Sequence, residues 1–274
     1  MAFDFGASTG RAILAEYNGE KIEYNEIHRF DNVLCEQNGM LCWDFDYLLG
    51  EVKKAISLAE NADSLAFDTW GVDYGMLDKD GNLVSKPVCY RDDRTKGMPD
   101  KIYQSVSPSK LYAKTGNQIM PINTLFQLTA DRTDNAEMFL FMPDLFAYSL
   151  CGAKSVDKTI ASTSQMLDLE NVEWQKDIFA LSGKNEKILP PIVDCATVVG
   201  EYNGIKVIKV AGHDTQCAVS AMPCDENITN AFLSCGTWSL IGCESDLPIL
   251  TEKSMNDDCL LYTSDAADDL IGVD

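Results

Sequence analysis

The chain opens with Met1-Ala-Phe-Asp-Phe-Gly-Ala-Ser-Thr-Gly-Arg11, and this stretch decides the fold. It reads as a short strand, a turn of small residues and then a second strand, Ala12 to Tyr17. Asn18-Gly19 supplies positive φ cheaply, so a tight hairpin is expected there, leading into a third strand over Lys21 to Phe30. A helical pattern follows, with Leu48, Leu49, Val52, Ala55, Ile56 and Ala59 on one face and Asp44 or Asp46 capping its start. Short apolar strands are expected at Ser64 to Thr69 and at Tyr74 to Leu77, after which Asp80-Gly81 turns the chain toward Leu83 to Tyr90.

From Arg91 to about Pro191 helical patterns prevail. Ser109 to Thr115, Thr124 to Thr133 and Pro143 to Leu150 are the candidates, the first and last stopped by Gly116 and Gly152. Pro190-Pro191 reads as a linker. Beyond it come a β-rich run, Lys206 to Ala211, and a small-residue segment, His213 to Ala221. Two apolar strands, Ala231 to Cys235 and Ser239 to Cys243, flank a turn at Gly236-Thr237. Strands interleaved with helices indicate the α/β class, and the hairpins make its sheet mixed rather than purely parallel. Ser254 to Asp274 contains no Lys or Arg and reads as frayed.

Composition narrows the function classes. The 274 residues are 46% apolar and 24% charged, which suits a buried core. Basic residues number 22 against 43 acidic ones, a formal charge of −21. Such a surface repels nucleic-acid phosphates and anionic lipid, so neither is an expected partner. A phosphorylated small molecule is still compatible, because local amides, an Arg or a metal ion reverse the potential over a few ångströms. With no run of about 18 apolar residues and no signal-peptide pattern, a cytoplasmic protein is expected. The ten cysteines contain no C-x-x-C, and His28 and His213 are the only histidines, so buried thiols are expected rather than a metal centre.

Four segments carry chemistry. In Asp4 to Arg11, small residues at a strand turn let backbone N–H groups approach an anion, Ser8 and Thr9 add donors and Arg11 adds charge. Asp4 suits a magnesium ion held through water. The stretch is not G-x-x-x-x-G-K-[ST], and a plain hairpin is the alternative. Ser234-Cys-Gly-Thr-Trp-Ser239 repeats the strand–turn–strand character, and two such turns suit the actin-like ATPase architecture, where a nucleotide lies between related domains. Gly212-His-Asp-Thr215 opens at a sheet edge; Asp214 is placed either to accept a hydroxyl proton or to cap the following helix. Asp68-Thr-Trp-Gly-Val-Asp-Tyr74 has the composition of a sugar site or of a core Trp beside a turn. Arg91-Asp-Asp-Arg94 reads as a solvated charge cluster.

These segments, together with Asn38-Gly-Met-Leu-Cys-Trp-Asp44, Tyr90-Arg-Asp-Asp-Arg-Thr95, Pro121-Ile-Asn-Thr-Leu-Phe-Gln-Leu128 and Met142-Pro-Asp-Leu-Phe-Ala-Tyr148, resemble the FGGY family of carbohydrate kinases from Ala2 to about Asp258. Asp-Thr-Trp-Gly-Val-Asp and His-Asp-Thr point to its rhamnulokinase branch. The resemblance implies an actin-like ATPase (ribonuclease H-like) fold. It also implies ATP- and Mg²⁺-dependent phosphoryl transfer to the 1-hydroxyl of L-rhamnulose. Carried over by position, Ala7, Ser8, Thr9, Gly10, Arg11 and Thr237 would contact ATP. Gly71, His213, Asp214 and Thr215 would contact the ketose, with Asp214 the proton acceptor, and Asp4 would serve the metal. Residues 1–229 would form the N-terminal kinase domain and 230–258 the beginning of a second, truncated one. Residues 259–274, which depart from the family, would be a non-native or disordered tail. The alternatives are another FGGY ketose or polyol kinase, or an actin-like nucleotide-binding module without catalysis.

Overall fold

Phe3 and Phe5 alternate with Asp4, and a strand's period of two sends the rings to one face and the carboxylate to the other. The computed structural model describes residues 1–59, 61–223, 230–235, 239–245 and 247–261. In it β1 (Ala2–Phe5) pairs antiparallel with β2 (Thr9–Tyr17), and β2 with β3 (Ile22–Asp31). The β2–β3 loop spans four residues rather than a two-residue turn. Gly19 takes φ +96°, and Asn18 Oδ1 accepts from the backbone N–H of Glu20 and Lys21. A short hairpin, β4 (Leu34–Gln37) and β5 (Met40–Trp43), precedes α1 (Phe45–Leu58). The helix buries Leu48, Val52, Ala55 and Ile56 as its spacing demands. Asp44 stands at its N-cap position, but its carboxylate is taken by Lys86.

Next come β6 (Ser64–Thr69) and β7 (Tyr74–Leu77). Leu83 to Tyr90 forms no strand and makes only single bridges, Leu77 to Leu83 and Cys42 to Val88. Three helices follow: α2 (Met98–Tyr103), α3 (Pro108–Thr115) and α4 (Thr124–Ala130). The Ser107 side chain caps α3, and Gly116 at φ +64° ends it. The fourth helix stops short of Thr133 because Asp131 turns its carboxylate onto the Thr133 N–H and Lys184. β8 (Met138–Phe141) pairs with β7 and runs into α5 (Met142–Cys151), which Gly152 ends.

Short elements then wrap the core: β9 (Val156–Asp157), α6 (Lys158–Ser162), β10 (Leu167–Asp168), β11 (Glu173–Trp174), α7 (Lys176–Ala180) and β12 (Ile192–Val193). Pro190-Pro191 is not a loose linker. The Trp174 indole donates to the Pro190 carbonyl, and the Pro191 carbonyl accepts from Val156 as β12 joins β9. β13 (Val198–Tyr202) and β14 (Ile205–Ile208) complete the main sheet, whose order is β13-β14-β6-β1-β2-β3. Within it β14, β6 and β1 run parallel and the outer pairs antiparallel. The expected mixed α/β sheet is therefore present. Phe5 and Phe67 stack on Phe146 of α5, with centroids 4.6 and 5.5 Å apart, and Phe45 packs on the same ring at 5.0 Å.

After α8 (Asp214–Ser220) comes the antiparallel hairpin β15 (Ala231–Cys235) and β16 (Ser239–Cys243). Beyond it, where the sequence reads as frayed, α9 (Glu252–Asn256) forms under a Thr251 cap, and the Leu261 N–H donates to the Gly116 carbonyl. That tail reading is corrected as far as Leu261; its remainder, 262–274, lies outside the described residues. Cys42 and Cys89 are buried as expected, whereas Cys235, Cys243 and Cys259 are exposed.

Candidate functional site

Parallel strands end together, and in open α/β sheets a ligand crevice forms beyond their carboxyl ends. Here β1 runs out into Gly6-Ala7, β6 into Trp70-Gly71, and β14 toward Gly212-His213. The last two are tied directly: the Thr69 N–H donates to the Gly212 carbonyl at 2.9 Å, and Thr69 bridges to His213. At Gly212 a side chain would collide with the Asp157 carboxylate, so only glycine lets the chain pass there. A cleft of about 400 Å³ opens over these ends. It brings together Asp4, Ala7, Arg11, Gly71, His213, Asp214 and Thr215, seven of the residues singled out from sequence.

On one wall stands the β1–β2 turn. The N–H groups of Ala7 and Ser8 donate to no acceptor among the described residues, so both are available to an anion. Arg11, opposite Asp4 in the strand register, gives the Asp4 carboxylate two hydrogen bonds, at 2.8 and 2.5 Å. Ser8 and Thr9 are exposed at the turn and Gly10 is buried; none of the three lines the cleft. A side chain at Gly10 would run into the Phe30 ring, so packing accounts for that glycine. Across from this turn, Ser234, Cys235 and Leu240 of the β15–β16 hairpin line the same cleft. Thr237, expected at the tip of that hairpin, lies outside the described residues.

Asp214 is the first residue of α8 rather than its cap; His213 holds the cap position. The Asp214 Oδ1 accepts from the Thr215 N–H at 2.6 Å, and the His213 Nε2 stands 3.5 Å from it. The Asp214 side chain is one-third exposed, at 35%, while His213 is buried. Burial lowers the His213 pKa and the Asp214 charge opposes this, so the ring is neutral near pH 7. Beneath them is Asp68, in register with Asp4 on the neighbouring strand. Burial, and then the Asp4 and Asp214 charges, raise the Asp68 pKa well above its ordinary value. Alternation along β6 places Asp68 on the same face as Asp4, although its motif suggested only a sugar contact.

The remaining wall is built from the Trp70-Gly-Val-Asp73 turn and its supports. A Cβ on Gly71 would stand 3.1 Å from both His213 and Thr163. Val72 adopts φ +67°, costly for a β-branched residue. Three bonds hold it there: its N–H donates to Thr163 Oγ1 at 3.1 Å, and its carbonyl accepts from Thr124 Oγ1 at 2.7 Å and from Gln127 Nε2 at 3.3 Å. Asn117, Met120, Ile122 and Thr163 also line the cleft; of these only Ile122 falls in a stretch quoted for the family resemblance, and none was singled out as a site residue. The Gly116 helix stop just before Asn117 was the one available clue. Arg91 to Arg94 is solvated only in part: Arg91 and Asp93 are exposed, while Asp92 and Arg94 turn inward. Asp92 caps a single turn and accepts from the Leu41 N–H, and Arg94, 12% exposed, donates to Gln127 Oε1 at 2.7 Å.

Among the described residues no helix is long and apolar enough to cross a membrane, and no group of three or more ligating side chains is poised around a metal ion. Solved structures share this fold. A carbohydrate kinase from Novosphingobium aromaticivorans is 18% identical, with a TM-score of 0.76 over 96% of this chain and 60% of its own. A ligand-bound xylulose kinase from Lactobacillus acidophilus is 15% identical, with a TM-score of 0.68 over 80% and 50%. A glycerol kinase from Plasmodium falciparum with ADP is 14% identical, with a TM-score of 0.64 over 80% and 49%. The chain spans about half the length of the xylulose and glycerol kinases. The model of the N-terminal domain of the FGGY carbohydrate kinases matches residues 1–231. On that match and this actin-like α/β sheet, the chain belongs to the FGGY family of carbohydrate kinases.

Proposed function

We propose that the protein is a cytoplasmic, ATP-dependent ketose kinase that transfers the γ-phosphoryl group to the 1-hydroxyl of L-rhamnulose, with residues 1–229 as its N-terminal kinase domain. The observation that carries the reading is that the partly exposed Asp214 carboxylate shares one cleft with Ala7 and Arg11 of the β1–β2 turn. In this reading the Asp214 Oδ accepts the proton of the sugar hydroxyl as its oxygen bonds to the γ-phosphorus. The bond from that phosphorus to the bridging oxygen breaks, and ADP leaves. Little charge need build on the nucleophile early in a loose transition state, so aligning the hydroxyl is the larger part of the Asp214 role.

The residues present suit a polyphosphate. The donors of Ala7 and Ser8 meet no acceptor among the described residues, Thr9 and Gly10 lead from the turn into β2, and Arg11 is a charge paired with Asp4. Thr237 completes the nucleotide contacts in this reading. Magnesium, when bound, neutralises phosphate charge, and Asp4 would hold it through its water shell once Arg11 turns to the phosphates. Gly71, His213 and Thr215 face the acceptor, with neutral His213 beside the base. The apolar wall of Trp70, Met120 and Ile122 suits the methyl group of a 6-deoxyketose. A coupled ADP-release assay across L-rhamnulose, L-fuculose, D-xylulose and glycerol tests this reading. The expected result is the highest kcat/KM for L-rhamnulose; equal rates with and without every sugar would overturn it.

A further inference from the structure

Asp73 lies at the end of the sugar-side turn, 1% exposed, yet its carboxylate has no ion-pair partner among the described residues. Neutral donors surround it instead. Its Oδ2 accepts from the indole Nε1–H of Trp43 at 2.7 Å, from that of Trp70 at 3.0 Å and from the Tyr90 backbone N–H at 3.0 Å. Its Oδ1 accepts from Gln127 Nε2 at 2.9 Å. Gln127 carries the frame further: Nε2 also donates to the Ile122 carbonyl at 2.8 Å, with the Val72 carbonyl 3.3 Å away. The two indoles lie against each other with centroids 4.1 Å apart.

Trp70, Val72, Tyr90 and Ile122, each held by this pair, all line the cleft, whereas Asp73 and Gln127 do not. Burying a charge without a counter-ion is costly, and packing alone does not call for it. We infer that Asp73 and Gln127 are positioning residues for the acceptor half of the cleft, setting the tilt of the Trp70 indole and the spacing of the Tyr90, Val72 and Ile122 backbone against it, and so selecting which ketose fits. The inference rests on the ketose-kinase reading. An Asp73→Asn change keeps the shape but leaves one acceptor oxygen for three donors, and turns its NH₂ toward that of Gln127.

The test combines binding with a spectroscopic readout on the whole chain. In wild type, L-rhamnulose and a non-hydrolysable ATP analogue are titrated by calorimetry, and the indole N–H resonances are assigned through Trp43→Phe and Trp70→Phe. In Asp73→Asn the Trp43 and Trp70 resonances should move, while that of Trp174, bonded to the Pro190 carbonyl, stays. The L-rhamnulose Kd should rise about tenfold or more, with the nucleotide Kd within twofold. Combining Asp73→Asn with Trp70→Phe should add little further loss, because both remove one interaction. If Asp73→Asn does not fold, Gln127→Met carries the test and should weaken ketose binding in the same direction. A folded variant that binds L-rhamnulose as wild type does would overturn the positioning role. A wild-type protein that binds the nucleotide but no ketose would instead overturn the ketose reading, and is recognised before any variant is made.

Discussion

At the scale of single residues, the site depends on side chains that are small or fixed for steric reasons. Gly71→Ala would bring a methyl group to 3.1 Å from His213 and Thr163, tighter than ordinary packing. The displaced imidazole should lower kcat/KM for the ketose by about tenfold and destabilise the fold by about 1–3 kcal/mol, measured by steady-state kinetics and urea unfolding. Asp73 gives a pH signature. Burial pushes its pKa up to about 6, opposed by hydrogen bonds from Trp43, Gln127, Tyr90 and Trp70. The titratable groups facing it are Tyr74, Cys89 and Arg91. Below that value the carboxyl gains a proton where an indole needs an acceptor, so ketose affinity should fall as pH drops through about 6 and be flat in Asp73→Asn. Because the folded pKa lies above the unfolded one, the stability that Asp73 contributes is greatest at low pH and lost as pH rises through about 6. The acid loss of binding is therefore not unfolding driven by this group, and a melt at pH 5.5 checks that. Sequence singled out Asp4, Arg11, Gly71 and Asp214, all of which line the cleft, because small and charged residues at strand ends stand out against an apolar pattern. It did not reveal Asn117 or Thr163, which reach the cleft only through tertiary packing.

At the scale of elements, three parallel strand ends meet because their registers are locked. Asp4 pairs with Asp68 across β1 and β6, and the Gly212 carbonyl with the Thr69 N–H. The return of the chain after β14 is anchored by a buried ion pair, Lys209 on Asp144 of α5, with Lys209 also donating to the Ser155 carbonyl at 2.9 Å. Lys209→Met would strand the Asp144 charge. Burial already raises the Asp144 pKa to about 7 against the pull of Lys209. Without the lysine the carboxyl should hold its proton to higher pH, so the loss should be about 3–5 kcal/mol at pH 8 and smaller at pH 5.5, measured by denaturant unfolding. An equal loss at both pH values would contradict this account. The opening strands and α1 were legible from their apolar period, and α3 and α5 from the glycines that stop them, Gly116 and Gly152. Leu83 to Tyr90 was not, because its bonds go to single residues rather than to a ladder, and α9 was not, because five residues give no period to read.

At the scale of the whole molecule, the charge of −21 leaves anion binding to local donors, and the β1–β2 turn is where backbone N–H groups without an acceptor among the described residues coincide with an arginine. The flanks of the second hairpin, Ser234, Cys235 and Leu240, line the same cleft as that turn, the arrangement that suits a nucleotide gripped from two sides. Asp214 lines the same cleft as Ala7, Arg11 and the Trp70–Gly71 wall, so the proposed transfer has base, phosphate cradle and acceptor wall in one place. Its most direct test follows the phosphorus itself: ATP labelled at the γ-phosphate is mixed with L-rhamnulose and the protein, and the sugar phosphate is separated after a rapid quench. Label should appear in a rhamnulose phosphate with wild type and fall by roughly a hundredfold to ten-thousandfold with Asp214→Asn, nucleotide affinity being retained. Label released only to inorganic phosphate, or transferred equally fast by the variant, would contradict the account.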